Sequence, residues 1–313
     1  METNNQLKIG VIGLGPVGAT LITHLHEANA IVIGCDVDIK TIDRIKKKGI
    51  TLKHKIEKHI SGIELCHSVQ ELEMYDLDLA IVCVKTPALK KVIKHLYEIN
   101  NDKMFVMCAQ NGIDNELIAA AKFGEERTLR MVINFAGNMS DRSSVHVSFF
   151  NPPNYVAALL TPGEEMAQKF ADLLNSVNLE TVIPEDIQDY VWEKAILNAA
   201  LSAVCAITRR TMKDVMDFKK TLELVEALID ESVRVADREG IELGKKFRRF
   251  CIRYLKNAGH HRPSMLTDIE NGRRTEIDQL NGKIVQYGRK HYLPTPLNQS
   301  VTALVHMLEY SPD

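Results

Sequence analysis

This chain predicts a doubly wound parallel α/β sheet of the Rossmann type followed by an all-α C-terminal domain. Three observations predict it. Short β-branched runs alternate with helical periodicity through the first half. The motif G-x-G-x-x-G joins the first such run to the first helix. Beyond Pro184, long helical patterns replace the β-branched runs. Residues 1–184 are therefore expected to form a dinucleotide-binding domain and 185–313 an all-helical substrate domain, with the active site in the cleft between them.

Taken in order, residues 7–12 are an apolar β-rich run ending in glycine, and 17–28 have helical spacing. A second strand (30–35) and helix (39–48) follow, and the less regular stretch 49–72 has room for a short hairpin. The run 77–84 (LDLAIVCV) is apolar on both faces, as a central parallel strand requires. Helix 87–97, strand 104–108 and helix 116–122 come next, then strand-like runs over 128–135, 145–149 and 155–160. A helix over 164–177 and a strand over 179–183 close the half. The second half reads as helices over 189–207, 222–239, 244–257, 265–290 and 297–308.

Composition narrows the function. The 313 residues are 45% hydrophobic, enough for two cores. With 39 Lys and Arg against 41 Asp and Glu, the net charge of −2 gives no net basic surface for nucleic acid or an anionic membrane. The polar start has no signal-peptide pattern, and the near-apolar run 195–207 is shorter than the ~18 residues of a membrane span, so a soluble cytoplasmic protein is expected. Six scattered cysteines without C-x-x-C read as small buried apolar residues, and eleven histidines without H-E-x-x-H predict no metal.

The motif itself is Gly13-Leu14-Gly15-Pro16-Val17-Gly18. Gly13 permits a tight turn, Gly15 lets the backbone approach a pyrophosphate, and Gly18 lets helix and strand pack closely. The helix N-terminus, reached through Leu14, Pro16 and Val17, supplies N–H groups and partial positive charge. Asp36 ends the second strand about 20 residues on, where a carboxylate binds ribose hydroxyls and repels the 2′-phosphate of NADP(H). This favours NAD(H). Lys40 and Arg44 leave NADP(H) open. Asp36 could instead cap the next helix, although Asp38 is better placed for that.

In the second half, Lys194, Asn198 and Ser202 recur at i, i+4, i+8, one polar stripe on an otherwise apolar helix. A lysine facing a cleft is a ready proton donor; the competing reading is a snorkelling lysine on a solvated face. The segment 264–269 (SMLTDI) and Glu276, beside the apolar stripe Ile277, Leu280 and Ile284, form a second cluster. By spacing alone, Glu276 reads as one more charge on a charged helix.

The segments W-x-K-x-x-x-N (192–198), S-M-L-x-D-I (264–269) and T-E-I-D-x-L-N-G (275–282), in that order after the glycine motif, resemble the ketopantoate reductase (2-dehydropantoate 2-reductase) family. Ala109-Gln110-Asn111-Gly112 and 292–296 (YLPTP) extend the resemblance over nearly the whole chain. It implies a helical domain like that at the C terminus of 6-phosphogluconate dehydrogenase, and NAD(P)H-dependent reduction of ketopantoate to pantoate for pantothenate and coenzyme A synthesis. It implies Lys194 as general acid and Glu276 as the substrate-hydroxyl contact, also beside the cofactor. Asn198, Ser202 and Ser264 would hold the substrate, with Ser264 near its carboxylate. Asn111 would lie at the nicotinamide–substrate junction, with Lys85 and Ala136 on the cofactor side. By analogy it implies a homodimer.

Three departures stand out. Ser202 replaces a second asparagine, 138–142 (NMSDR) replaces a glycine-rich turn, and Asp36 stands where many members place a basic residue. A paralogue reducing another small 2-oxo acid, and a non-catalytic dinucleotide-binding regulator, are the alternatives; the inward lysine and carboxylate argue against the regulator.

Overall fold

The computed structural model describes residues 6–310. They divide into two compact units: residues up to Gln110 together with Asn115–Ile187, and Asn111–Asp114 together with the chain from Gln188 on. The expected boundary at 184/185 thus falls three residues early, and the short segment 111–114 belongs with the helical unit.

The first unit is built on β1 (Lys8–Ile12), flanked in parallel by β2 (Ile31–Cys35) on one side and β6 (Leu79–Val82) on the other. Ile9 stands opposite both Val32 and Leu79. Every residue of β6 is fully buried, which is why its sequence is apolar without alternation. β5 (Glu64–Cys66), β7 (Phe105–Cys108), β8 (Thr128–Val132), β11 (Asn154–Ala158) and β12 (Thr181–Val182) complete eight strands, ordered β12-β11-β8-β7-β6-β1-β2-β5. The sheet is not wholly parallel, since β11 runs antiparallel to β8. The intervening helices are α1 (Pro16–Glu27), α2 (Ile39–Lys48), α3 (Thr86–Glu98), α4 (Asn115–Phe123) and α5 (Glu164–Ser176). Each follows the pattern read from the sequence to within two residues.

A second sheet was not foreseen. β3 (Ile50–His54), β4 (Lys58–Ile60), β9 (Phe135–Asp141) and β10 (Ser144–Phe150) form a four-stranded sheet ordered β4-β3-β10-β9. The run 145–149 belongs here and not to the main sheet. The hairpin expected within 49–72 is β3–β4. The second sheet packs on α1, whose other side faces β1 and β2, so α1 is covered from both sides. All of Gly18–Leu25 is buried, including three polar side chains that bond back along the helix. Thr20 Oγ1 donates to the Pro16 carbonyl at 2.8 Å, Thr23 Oγ1 to Ala19 at 2.7 Å, and His24 Nδ1 to Thr20 at 2.7 Å.

The second unit contains only helices among its described residues: α6 (Ile187–Thr208), α7 (Met212–Asp217), α8 (Lys219–Glu239), α9 (Phe247–Lys256), α10 (Ser264–Glu270), α11 (Asn281–Lys290) and α12 (Pro296–Glu309). α7 was missed. The single helix expected over 265–290 is two, because Asn271-Gly272 ends α10: Gly272 takes φ +61°, and Asn271 and Arg273 donate backbone N–H to the Asp268 carbonyl. α6 is the one helix among the described residues long and apolar enough to cross a membrane by length and composition, longer than the run 195–207 suggested. Most of it is buried within the protein. All six cysteines are free, and only Cys83 is less than fully buried.

Burial pushes the His24 imidazole down from 6.5 to about 4, while the Thr20 carbonyl pulls the other way. The unfolded chain therefore binds this proton more tightly than the folded one. Stability is complete above pH 6.5 and falls as pH drops toward 4. Urea denaturation should show a loss of about 2 kcal/mol from this group between pH 7.5 and pH 5. That increment should be missing in His24→Gln, and an identical pH slope in the variant would contradict it.

Candidate functional site

In the first unit, β1 ends at Ile12 and α1 begins at Pro16, so residues 13–15 must reverse direction in one turn. Gly13 does so at φ +94°, where an added Cβ would lie 2.9 Å from the Val84 amide nitrogen and 3.0 Å from the Cys83 carbonyl carbon. A Cβ on Gly18 would run into the Gly13 carbonyl oxygen. On Gly15 it would meet nothing within 4 Å, so that face of the turn is open to an incoming group. Neither α1 nor α3 has a side-chain cap or an acidic residue in its first turn. From the adjoining ends of β1 and β6, α1 leads to β2 and α3 to β7, on opposite sides. This is the switch point at which doubly wound sheets bind ligands. Lys85 is exposed at the start of α3, and Pro16 and Val17 are half-buried in the first turn of α1. Leu14 buries its side chain and presents only backbone to the turn.

Asp36 follows β2. Its Oδ2 accepts the Leu14 N–H at 2.8 Å and its Oδ1 the Asp38 N–H at 2.9 Å, so the carboxylate ties the glycine turn to the end of β2. Burial pushes its carboxyl up from the usual range, opposed by the Leu14 N–H. Asp38, not Asp36, caps α2, accepting from the Lys40 N–H at 3.1 Å and the Thr41 hydroxyl at 2.9 Å. Residues 138–142 are no loose turn: they form most of β9 and its hairpin into β10. Arg142 in that hairpin pairs with Asp38, and Arg44 with Asp141 at 3.5 Å. Ala136 lies half-buried on β9 opposite Phe149. Sequence reasoning missed Val37 and Ile39, which leave 84% and 59% of their surface exposed beside Asp36. An exposed apolar pair next to a ribose-type carboxylate fits the face of a purine ring. Open turn, uncapped helix ends and carboxylate together fit a dinucleotide.

In the second unit, Lys194, Asn198 and Ser202 fall on one face of α6. Lys194 and Asn198 are half-buried, and Ser202 is 7% exposed. Glu276 is buried, but not on a helix: it precedes the short 3-10 turn Ile277–Gln279. The loop before it is pinned by Arg273 Nε on Asp268 at 3.0 Å and by the Thr275 N–H on Glu309 at 2.7 Å. Gln279 donates its N–H to the Glu276 carbonyl and accepts the Ile113 N–H at 2.9 Å, bringing the Asn111 segment to this turn. Gly112 takes φ +100°, and a Cβ there would lie 2.7 Å from Gln279 Cβ. Asp114 anchors the same segment to α11 through Lys283 at 2.7 Å and the Tyr287 hydroxyl at 3.0 Å. Asn281 Nδ2 donates to the Ala199 carbonyl at 3.0 Å, one residue beyond Asn198. Ser264 is exposed at the first position of α10. Asp114, Lys283, Tyr287 and Asn281 carried no signal in the sequence beyond lying in or near the quoted motifs.

The described residues hold no cluster of three or more His, Cys, Asp or Glu able to bind a metal. The glycine set, Asp36, Lys85 and Ala136 all belong to the first unit. Asn111, Lys194, Asn198, Ser202, Ser264 and Glu276 belong to the second.

This arrangement defines a dinucleotide-binding fold joined to a helical unit with a half-buried lysine and a buried carboxylate. Comparison with known proteins gives the particular family. The family described as ketopantoate reductase PanE/ApbA matches residues 9–158, and its C-terminal counterpart, ketopantoate reductase PanE/ApbA C terminal, matches 186–309. The chain belongs to the ketopantoate reductase family. It is 26% identical over 301 residues to 2-dehydropantoate 2-reductase of Streptococcus pyogenes serotype M1, covering 96% of this chain and 97% of that protein. It is 27% identical over 302 residues to the enzyme of that name from Pyrococcus abyssi (strain GE5 / Orsay), with the same coverage. Among solved structures it is similar to D-mandelate dehydrogenase with NADH and anilino(oxo)acetate: TM-score 0.86, 25% identity, 97% of this chain and 98% of that one. It shares its fold with 2-dehydropantoate 2-reductase from Geobacter metallireducens GS-15, with TM-score 0.88, 19% identity, and 96% and 99% coverage.

Gly15→Ala should leave the unliganded protein's urea midpoint unchanged, because the added methyl meets nothing, yet weaken NADH binding at least about tenfold, a loss of roughly 1.4 kcal/mol. Gly18→Ala should lower both. Equal effects from the two substitutions would mean that Gly15 faces packed protein.

Proposed function

We propose that this protein is a 2-dehydropantoate 2-reductase, converting ketopantoate to pantoate. One observation carries the reading. A single compact unit holds Lys194 and Asn198 half-buried in one row, with Asn281 bonding beside that row and Gln279 joining the Asn111 segment to the Glu276 turn.

Gly13–Gly18, Asp36, Lys85 and Ala136 would hold a reduced nicotinamide dinucleotide, which would supply a hydride equivalent to the ketone carbon. The chain's own residues do the rest. Lys194 gives an Nζ proton to the carbonyl oxygen as it becomes an alkoxide, and its positive charge stabilises that oxygen as charge develops. One hydride and one proton convert the ketone to an alcohol, and the lysine regains its proton from water. Glu276 accepts the O–H of the substrate hydroxyl. Asn198, Ser202 and Ser264 bind the remaining polar groups, with Ser264 at the carboxylate, and Asn111 lies at the nicotinamide. The reading extends to a homodimer in the cytoplasm, for which sedimentation velocity should give twice the chain mass.

We assign NADH as the preferred cofactor. A carboxylate at the end of β2, Asp36, would repel a 2′-phosphate, and the nearby Arg142 and Arg44 are already paired with Asp38 and Asp141. A second substrate reading, another small 2-oxo acid, is favoured by Ser202. It is a short hydroxyl where the family has asparagine, in a chain that is similar to D-mandelate dehydrogenase. A panel of 2-oxo acids, compared by kcat/KM, separates the two.

Lys194→Ala should lower kcat by roughly 10²–10⁴-fold, the scale of a lost general acid, with NADH affinity nearly unchanged; a near-normal kcat would remove Lys194 from the mechanism. Asp36→Asn keeps an acceptor for the Leu14 N–H and deletes the charge. It should raise kcat/KM for NADPH relative to NADH by about tenfold, equivalent to roughly 1.4 kcal/mol. An unchanged ratio would confine Asp36 to tying the glycine turn.

A further inference from the structure

The near-even charge balance conceals a segment of one sign. Between Glu242 and Asp268 there is no acidic residue, while seven lysines and arginines fall there. Six of them, Lys245, Lys246, Arg248, Arg249, Arg253 and Lys256, line a single cavity of about 540 Å³ along α9.

Such a cluster works against the helix that carries it. Arg249, Arg253 and Lys256 follow one another at one-turn spacing, where like charges repel. Lys246 occupies the N-cap of α9 without capping it, and Arg248 and Arg249 stand in a first turn that contains no acidic residue. That is the end at which the helix dipole already places partial positive charge. The compensation seen is local: α8 supplies Asp230 at 2.5 Å and Glu226 at 3.7 Å, both to Arg248. The other five cations make no ion pair among the described residues.

We propose that this cavity binds an oligophosphate anion, two or more linked phosphates, free or carried on a nucleoside. It is distinct from the glycine turn, which lies in the first unit. The arginine forks of Arg249 and Arg253 match phosphate oxygens in pairs, Arg248 being held by Asp230 and Glu226, and the uncapped first turn of α9 adds backbone N–H donors of the kind that bind phosphate. The cavity volume lies within the roughly 300–1,000 Å³ of small-molecule sites. Its length is that of one ten-residue helix, about 15 Å, which suits a short anion and not an extended polymer.

The test is calorimetric titration of the whole protein with tripolyphosphate at low ionic strength. NADH is held at saturation so that the glycine turn is filled. One saturable site is expected, roughly tenfold weaker when ionic strength rises from about 0.05 to 0.2 M. The double variant Arg249→Glu, Arg253→Glu alters only exposed side chains. It should bind tripolyphosphate at least about tenfold more weakly while keeping its NADH affinity, which reports an intact fold. ATP binding as tightly as tripolyphosphate assigns recognition to the phosphate chain, and tighter ATP binding assigns it to a nucleoside polyphosphate. No binding at millimolar probe, or equal binding by the double variant, overturns the proposal. So does a single-stranded oligonucleotide that binds far more tightly than either probe and is lost in the variant.

Discussion

The contact of Gly18 with the Gly13 carbonyl oxygen constrains the first unit more than any other. Helix α1 can approach the end of β1 this closely only if position 18 has no side chain. Once it does, the 13–15 turn has to be tight and Gly13 has to take a positive φ, and the first turn of α1 has no side-chain cap. The same approach leaves α1 covered by the main sheet on one side and the second sheet on the other, so its middle must be apolar or bond to itself. His24 and the two threonines do the latter. Asp36 completes the constraint, because its carboxylate holds the Leu14 N–H and fixes the turn against β2.

The second unit is organised by a buried polar chain. Glu231 on α8 is 4% exposed, yet its carboxylate accepts the N–H groups of Leu297 and Asn298 and the Asn298 side-chain amide, at 2.8–2.9 Å. The N-terminus of α12 supplies these donors, and its dipole favours the negative charge placed there. Asn298 Oδ1 then accepts from Asn281 Nδ2, which also donates to the Ala199 carbonyl. Four helices are thereby registered through three side chains, and the last bond falls beside Asn198. A buried amide is costly to leave unpaired, so this chain resists any sliding of α6 against α11.

What could be read from the sequence followed from local physics. Apolar runs gave the β-strands of the main sheet except the three-residue edge strand β5, periodicity gave the long helices, and glycine spacing with Asp36 gave the turn. The second sheet was not legible, because β3 pairs with β10 some 90 residues away and β9 (FAGNMSD) is poor in β-branched residues. The break at Asn271-Gly272 was written in the sequence as a helix stop, but apolar spacing on both sides masked it. Glu276 was visible only through its motif: its burial comes from the turn that follows and from Glu309 holding Thr275, contacts that no local pattern encodes. Asp114 shows the same limit, since its partners lie on α11, about 170 residues further on.

The chain therefore presents two anion-facing surfaces built on opposite principles. At the glycine turn the donors are neutral amides at the ends of α1 and α3, fixed by the fold, with Lys85 exposed at the mouth. Fixed dipoles select by geometry and are little screened by salt. Along α9 the donors are long, exposed cationic side chains, which select by charge density, tolerate varied shapes and weaken as salt rises. The six cations belong to the second unit and not to the glycine turn, so they are not part of that site. Nor does the stability of α9 require them, since both their spacing and their place at its N-terminus act against the helix. What remains to account for them is a multivalent anion at the second surface.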